Sequence, residues 1–235
     1  MPHHISRTRI LLGLGIGLLF PLISNLLYFV VAGSPLLAQI GYFGSKAMLL
    51  VWPLICFFLI LPRGPGETRP GPARKQVWWS LLLGIQTGVI IFAAIVLLMQ
   101  SPIGRFVLEG ADAVKERVSQ LGFDRNFLVA AILISTVHAA LEEYYWRWFA
   151  WGQLRRFVPG FQSHVIAGFA FAAHHYVIVW VYFTPWFAIF LGTMVAVGGM
   201  IWSVMYQRTG SLIGAWISHM FVDLAIFWVG WTLIR

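Results

Sequence analysis

The sequence predicts an all-α membrane protein, a polytopic bundle of about seven to eight transmembrane helices that forms a single integral membrane domain over residues 1–235. Three observations carry that prediction. Hydrophobic residues make up 60% of the chain and charged ones 10%, with a mean hydropathy of +0.81, far from the roughly 25% charged residues of an ordinary soluble domain. Apolar windows of about 20 residues, the length needed to cross about 30 Å of hydrocarbon, recur along the whole chain. The positive residues collect between those windows rather than inside them.

The windows fall at 10–32, 36–61, 77–99, 127–150, 163–184, 186–206 and 211–234. The first follows Arg7 and Arg9 and so resembles a signal peptide. Its apolar run is longer than a signal core and contains Pro21 and Asn25, so a retained helix is expected. The second window holds Lys46 and the lone cysteine, Cys56. One cysteine allows neither an intrachain disulfide nor a cysteine-based zinc site, and Cys56 reads as a packing residue. Segment 62–76 is rich in proline and glycine and is expected to be a non-helical hinge or tether. In segment 102–122, Phe106, Val107, Val114, Val118 and Leu121 recur among charges near a helical period, which predicts a short amphipathic helix at the interface.

With the N-terminus in the cytoplasm, the inner segments hold nine Lys and Arg residues (Arg7, Arg9, Arg63, Arg69, Arg74, Lys75, Arg155, Arg156, Arg208) and the outer ones five (Arg105, Lys115, Arg117, Arg125, Arg235). The positive-inside rule favours that orientation. The formal charge of +8 is explained by it and does not point to nucleic acid, because no basic run is interleaved with aromatics. The surroundings implied are the lipid bilayer.

Glu142 and Glu143 interrupt the fourth window, in the run Leu141-Glu142-Glu143-Tyr144-Tyr145-Trp146-Arg147. Hydrocarbon penalises an ionised side chain unless it is paired or faces a wet cavity, so intramembrane carboxyls imply function by default. Glu143 and Arg147 are four apart and share a helix face, which predicts an ion pair and leaves Glu142, about 100° away, to face a cavity. His219 and Asp223 have the same spacing on the last helix, so the aspartate can orient the imidazole and fix its tautomer. His174 and His175 are adjacent, so at most one is expected to face the common site, and periodicity does not choose between them. His138, four residues before Glu142, reads as a spectator. At a rise of about 1.5 Å per residue from the predicted cytoplasmic ends, Glu142, His175 and His219 lie at depths of roughly 12–18 Å. They could therefore meet, in a site nearer the cytoplasmic side.

A carboxylate and a histidine facing each other can share the proton of a water between them, and a second histidine can donate to the oxyanion formed when that water attacks a carbonyl. No serine or cysteine nucleophile stands beside a base, which favours direct attack by water. Other classes use similar groups. A proton-coupled transporter needs membrane carboxyls too, but it commonly shows repeated halves, whereas here the polar residues concentrate in the C-terminal half. A catalytically silent scaffold or immunity factor would have no need of Glu142, His175 and His219 together.

The run Glu142-Glu143-Tyr144-Tyr145-Trp146-Arg147 resembles the E-E-x-x-x-R motif of the CPBP family, the membrane-embedded CAAX-processing and bacteriocin-processing proteases also called Abi. Phe171-Ala172-Ala173-His174-His175 is similar to that family's F-x-x-x-H motif, and His219-Met220-Phe221-Val222-Asp223 to its H-x-x-x-N/D motif. The three occur in family order within about 125–235, the implied catalytic core. The resemblance implies a glutamate-type intramembrane endopeptidase acting on a membrane-anchored protein or peptide. In it, Glu142 and His175 activate water, His219 and Asp223 form the oxyanion site, and Glu143 and Arg147 support them. The Asp223 terminus departs from the Asn of prenyl-protein proteases. No cofactor is required by that reading. Zinc is the alternative, with Glu142, His175 and His219 as its ligands, since all three residue types bind it.

Overall fold

In the computed structural model, residues 7–31, 34–60, 71–120 and 126–234 are described. Among them, seven helices are long and apolar enough to cross a membrane, one for each expected window. The protein is an integral, multi-pass membrane protein. Large apolar side chains such as Leu59, Leu97 and Ile189 lie exposed on the outside of the bundle, as a protein solvated by lipid requires.

The first helix, α1 (Arg7–Leu26), runs into a π-helical turn at Leu27–Val31. Pro21 lies inside it and has no N–H to offer the carbonyl four residues earlier. That carbonyl, Gly17 O, instead accepts the Tyr145 hydroxyl from a helix far along the chain. Helix α2 (Pro35–Ile55) begins with Pro35 in its first turn, and the Ser34 side chain accepts from Leu37 N at 3.3 Å. Trp52 of α2 donates its indole N–H to Gly13 O of α1 at 3.1 Å.

Helix α3 (Arg74–Gln100) starts earlier than the sequence suggests. Arg74, Lys75 and Gln76 were expected in the connector. They form its first turn because Gln76 Oε1 turns back to accept Ala73 N at 2.9 Å, supplying the reciprocal half of a capping box. Of the rest of the connector, 71–73 are non-helical as expected and 62–70 lie outside the described residues. The amphipathic segment is two short helices, α4 (Gly104–Glu109) and α5 (Ala111–Gln120), broken at Gly110.

The fourth span, α6 (Phe127–Leu154), carries the two glutamates. It alternates between α-helical stretches and wider π-helical turns at Ile134–His138 and Tyr144–Trp151. Helix α7 (Phe161–Tyr182) packs along α8 (Pro185–Thr209), and α9 (Ile213–Ile234) packs along α3. The α3–α9 contact is close enough to need glycine on both sides. A Cβ on Gly84 would lie 2.4 Å from Gly214 O, and one on Gly214 would lie 2.1 Å from Ser80 O. The small residues let the two backbones meet, and Gly214 N donates to Ser80 Oγ at 3.0 Å across the seam. Above this seam Thr87 of α3 donates to Ser218 Oγ at 3.0 Å, and Trp202 of α8 donates to the same oxygen at 2.9 Å. The three helices around the second histidine motif are thereby tied together.

Gly214→Ala is expected to lower stability in detergent by about 1–3 kcal/mol, the range for overpacking a tight contact. Gly15, whose Cβ would meet nothing within 4 Å, provides the control. Thermal unfolding of the two alanine variants checks this, and equal losses would show that the seam is not the constraint.

Candidate active site

The site forms where α6, α7 and α9 face one another, and its geometry starts from the wide turns of α6. A π-helical turn sets the backbone ladder out of α-helical register and is often found at functional sites. The turn at Ile134–His138 leaves the Thr136 carbonyl accessible, and Trp216 of α9 donates its indole N–H to it at 2.8 Å. This bond fixes α9 against α6 one turn before His219. The α-helical stretch Ala139–Glu143 then presents both glutamates, and the next π-helical turn presents Arg147.

Glu143 is fully buried, and its two oxygens have separate partners. Oε2 lies 3.0 Å from Arg147 Nε, the pairing expected from the four-residue spacing. Oε1 accepts His219 Nδ1 at 2.9 Å. Arg147 is 2% exposed, and its guanidinium lies over the rings of Phe171 and Trp202, 4.7 Å and 5.1 Å from their centroids. Aromatic faces are favourable neighbours for a desolvated cation.

Glu142, 4% exposed, points the other way and is enclosed by imidazoles. Its Oε1 is 3.3 Å from His138 Nε2 and 3.6 Å from His174 Nε2, and its Oε2 is 3.7 Å from His219 Nε2. His219 is held on its faces as well. Its ring stacks on Trp202 at 4.3 Å with 17° between planes, and Phe171 meets it edge-on at 5.9 Å.

The structure differs from the sequence expectations at three places. The carboxylate that meets His219 Nδ1, and so sets its tautomer, is Glu143 rather than Asp223. A carboxylate only accepts, so Nδ1 carries a proton. Asp223 approaches the other nitrogen, with Oδ1 3.6 Å from Nε2. Secondly, His174 is the member of its pair in contact with Glu142. His175 stands beside it, ring centroids 4.0 Å apart, with Nδ1 donating to Phe171 O at 3.2 Å. That bond leaves Nε2 of His175 as the basic nitrogen of the neutral ring. Thirdly, His138, expected to be a spectator, makes the shortest contact with Glu142. Its Nε2 also lies 3.1 Å from Lys46 Nζ of α2, so the first half of the chain reaches the site. A lone lysine within an apolar window is itself a signal for function, and it was the available clue.

Among the described residues, no three His, Cys, Asp or Glu side chains are arranged to hold a metal ion. The expected zinc set of Glu142, His175 and His219 is not among such arrangements; Nδ1 of each histidine donates to an oxygen, of Phe171 and of Glu143, so Nε2 is the nitrogen each ring has left for the site.

These features define a class, a polytopic helix bundle whose buried glutamate and histidine cluster lies within the membrane-spanning segments. Residues 124–225 match the model of a particular family, described as type II CAAX prenyl endopeptidase Rce1-like. The likeness to the CAAX and CPBP proteases drawn from three short motifs is borne out over that stretch, which spans α6 to most of α9 and contains every residue of the cluster except Lys46. Comparison with curated proteins and with solved structures found no match.

Arg147→Met strands the Glu143 carboxylate in low dielectric and should destabilise the protein by about 3–5 kcal/mol, as breaking a buried pair does. Glu143→Gln added to it removes the stranded charge, keeps an acceptor for His219 Nδ1, and should recover part of the loss. Unfolding of the two single variants and the double, read as a thermodynamic cycle, measures the coupling; strictly additive losses would mean that the two residues do not act as a pair.

Proposed function

We propose that the protein is an intramembrane endopeptidase that hydrolyses a peptide bond of a membrane-anchored protein or peptide, with Glu142 as the base that activates water. The observation that carries this reading is the division of labour between two adjacent carboxyls. Glu143 is neutralised by Arg147 and occupied by His219 Nδ1, whereas among the described residues Glu142 has no guanidinium partner at such a distance and three imidazoles within 3.7 Å, His219 among them through Nε2. The family match supports proteolysis as the reaction class.

In the proposed reaction the Glu142 carboxylate takes a proton from water while His175 Nε2 accepts a hydrogen bond from the water's other hydrogen. The water oxygen bonds to the peptide carbonyl carbon, and the carbonyl π electrons move to oxygen. His219 donates from Nε2 to that oxyanion. Nδ1 donates to Glu143 at the same time, so in this reading His219 is an imidazolium, with a proton on each nitrogen before and after the step. Asp223, beside Nε2, positions the ring's outer edge. The carbon–nitrogen bond breaks as Glu142 passes its proton to the departing amine, which returns the carboxylate to its starting state. Water and one peptide bond become a carboxylic acid and an amine, with no net proton change on the protein. The reading requires no metal. The positive-inside count supports a cytoplasmic N-terminus and a site nearer that face.

Glu142→Gln keeps the shape of the side chain and removes the base, so hydrolysis of a lipid-anchored reporter peptide by purified protein should fall by about 10³-fold, within the range for losing a general base. A well-folded Glu142→Gln protein with near wild-type turnover would falsify the assignment. The two adjacent histidines are separated by the same assay. His175→Gln should lower kcat much more than His174→Gln, and the reverse order would transfer the water-activating role to His174. Activity should persist in a strong chelator; complete loss that zinc reverses would establish a metal-dependent enzyme instead.

A further inference from the structure

One nitrogen in the site is approached by two groups that cannot both use it as a hydrogen-bond acceptor or both as a donor. His138 Nε2 lies 3.1 Å from Lys46 Nζ and 3.3 Å from Glu142 Oε1. The ammonium of Lys46 has three N–H donors and no lone pair, and a carboxylate has lone pairs and no donor. If Nε2 accepts from Lys46, it carries no proton and has nothing to give Glu142. If it donates to Glu142, it repels the ammonium.

We propose that Lys46 is a positioning residue of the site, which donates to His138 Nε2, holds that ring as an acceptor, and so prevents it from tying up the Glu142 carboxylate needed for water. The inference rests on the reading of Glu142 as the base. It gives α2 a role in the chemistry although α2 lies outside the matched segment 124–225. It also gives His138 a defined state, with its proton on Nδ1. That atom is buried and has no hydrogen-bond partner among the described residues, so nothing on its own side of the ring selects this tautomer, and Lys46 supplies the preference from the other. His138 is four residues before Glu142 on α6, close enough that a flipped tautomer would bind the carboxylate directly. Lys46 therefore acts on Glu142 through a third residue, by deciding which way that residue's hydrogen bond runs.

The test begins with the wild-type protein, labelled with nitrogen isotope at histidine and reconstituted in detergent, with the His138 signal assigned by its loss in His138→Phe. Nitrogen NMR should show His138 protonated at Nδ1 and bare at Nε2. A proton on Nε2 in the wild type overturns the proposal, whatever the activity data. Lys46→Met should shift the proton to Nε2 and lower kcat about tenfold, the effect of one added charge-assisted hydrogen bond on the base, with KM little changed. Lys46→Arg, which keeps the donor, should restore most of the turnover. Adding His138→Phe to Lys46→Met removes the competing donor and should also recover turnover. That recovery separates the proposal from a packing role, in which the second substitution would deepen the loss. A rise in KM with kcat unchanged would make Lys46 a substrate contact and overturn the proposal. Glu142→Gln, run beside these, keeps the two readings apart. If it retains turnover, the base assignment fails and the NMR result still decides the Lys46–His138 link; if it is inactive while Lys46→Met matches wild type, the proposal about Lys46 alone fails.

Discussion

Glu143 is enclosed completely, and its two oxygens are shared between Arg147 at 3.0 Å and His219 at 2.9 Å. A buried carboxylate in a bilayer is tolerated only when such partners replace water, and here the partners come from two helices. Arg147 is one turn further along α6, whereas His219 stands on α9, so the same group that stabilises an otherwise unfavourable charge also fixes where α9 sits. Once α9 is fixed, the Trp202 ring has a face to stack on, and Ser218 next door becomes the common acceptor for α3 and α8. The proposed oxyanion donor is positioned by a structural ion pair rather than by a residue devoted to it.

Interior helices in lipid gain little from the hydrophobic effect, so close backbone packing and buried hydrogen bonds must hold them together. The α3–α9 seam at Gly84 and Gly214 supplies the first and the Ser80, Thr87 and Ser218 hydroxyls the second. Pro21 contributes by omission. The carbonyl it leaves without an N–H accepts the Tyr145 hydroxyl, which anchors the middle of α6 to α1 two residues beyond the paired glutamates. The N-terminal half therefore braces the helix that carries the site.

The seven spans were legible because hydropathy over 20 residues integrates many weak signals, and the described helices follow the expected windows to within a few residues. The start of α3 was misread because a proline- and glycine-rich composition says nothing about where a glutamine will fold back to cap the chain. Within the site, the Glu143–Arg147 pair was readable from its spacing on one helix. The partner of His219 was not, because Glu143 and Asp223 are equally good carboxylates and the choice is made by packing across 76 positions. Lys46 meets His138 across 92 positions, and no periodicity reports a contact between helices so far apart in sequence. The π-helical turns were invisible for a related reason. They are stabilised by acceptors and donors on other helices, such as Trp216 at the Thr136 carbonyl.

Those turns limit what kind of change this stretch can absorb. A π-helical turn holds one residue more than the α-helical turn it replaces, so between Ile134 and Trp151 the number of residues is part of the architecture. Exchanging one aromatic ring for another there alters only local fit. Deleting a single residue from Tyr144–Trp151 would return the turn to α-helical register with the helix beyond it in its present orientation, whereas a further residue inserted into α-helical register would rotate everything beyond it by about 100°. After such an insertion beyond Glu143, Glu142 and Glu143 would keep their places while Trp151 left its seat against Ser163. Along this helix the spacing between residues is under tighter physical constraint than most of their identities, and insertions should be tolerated far less than substitutions.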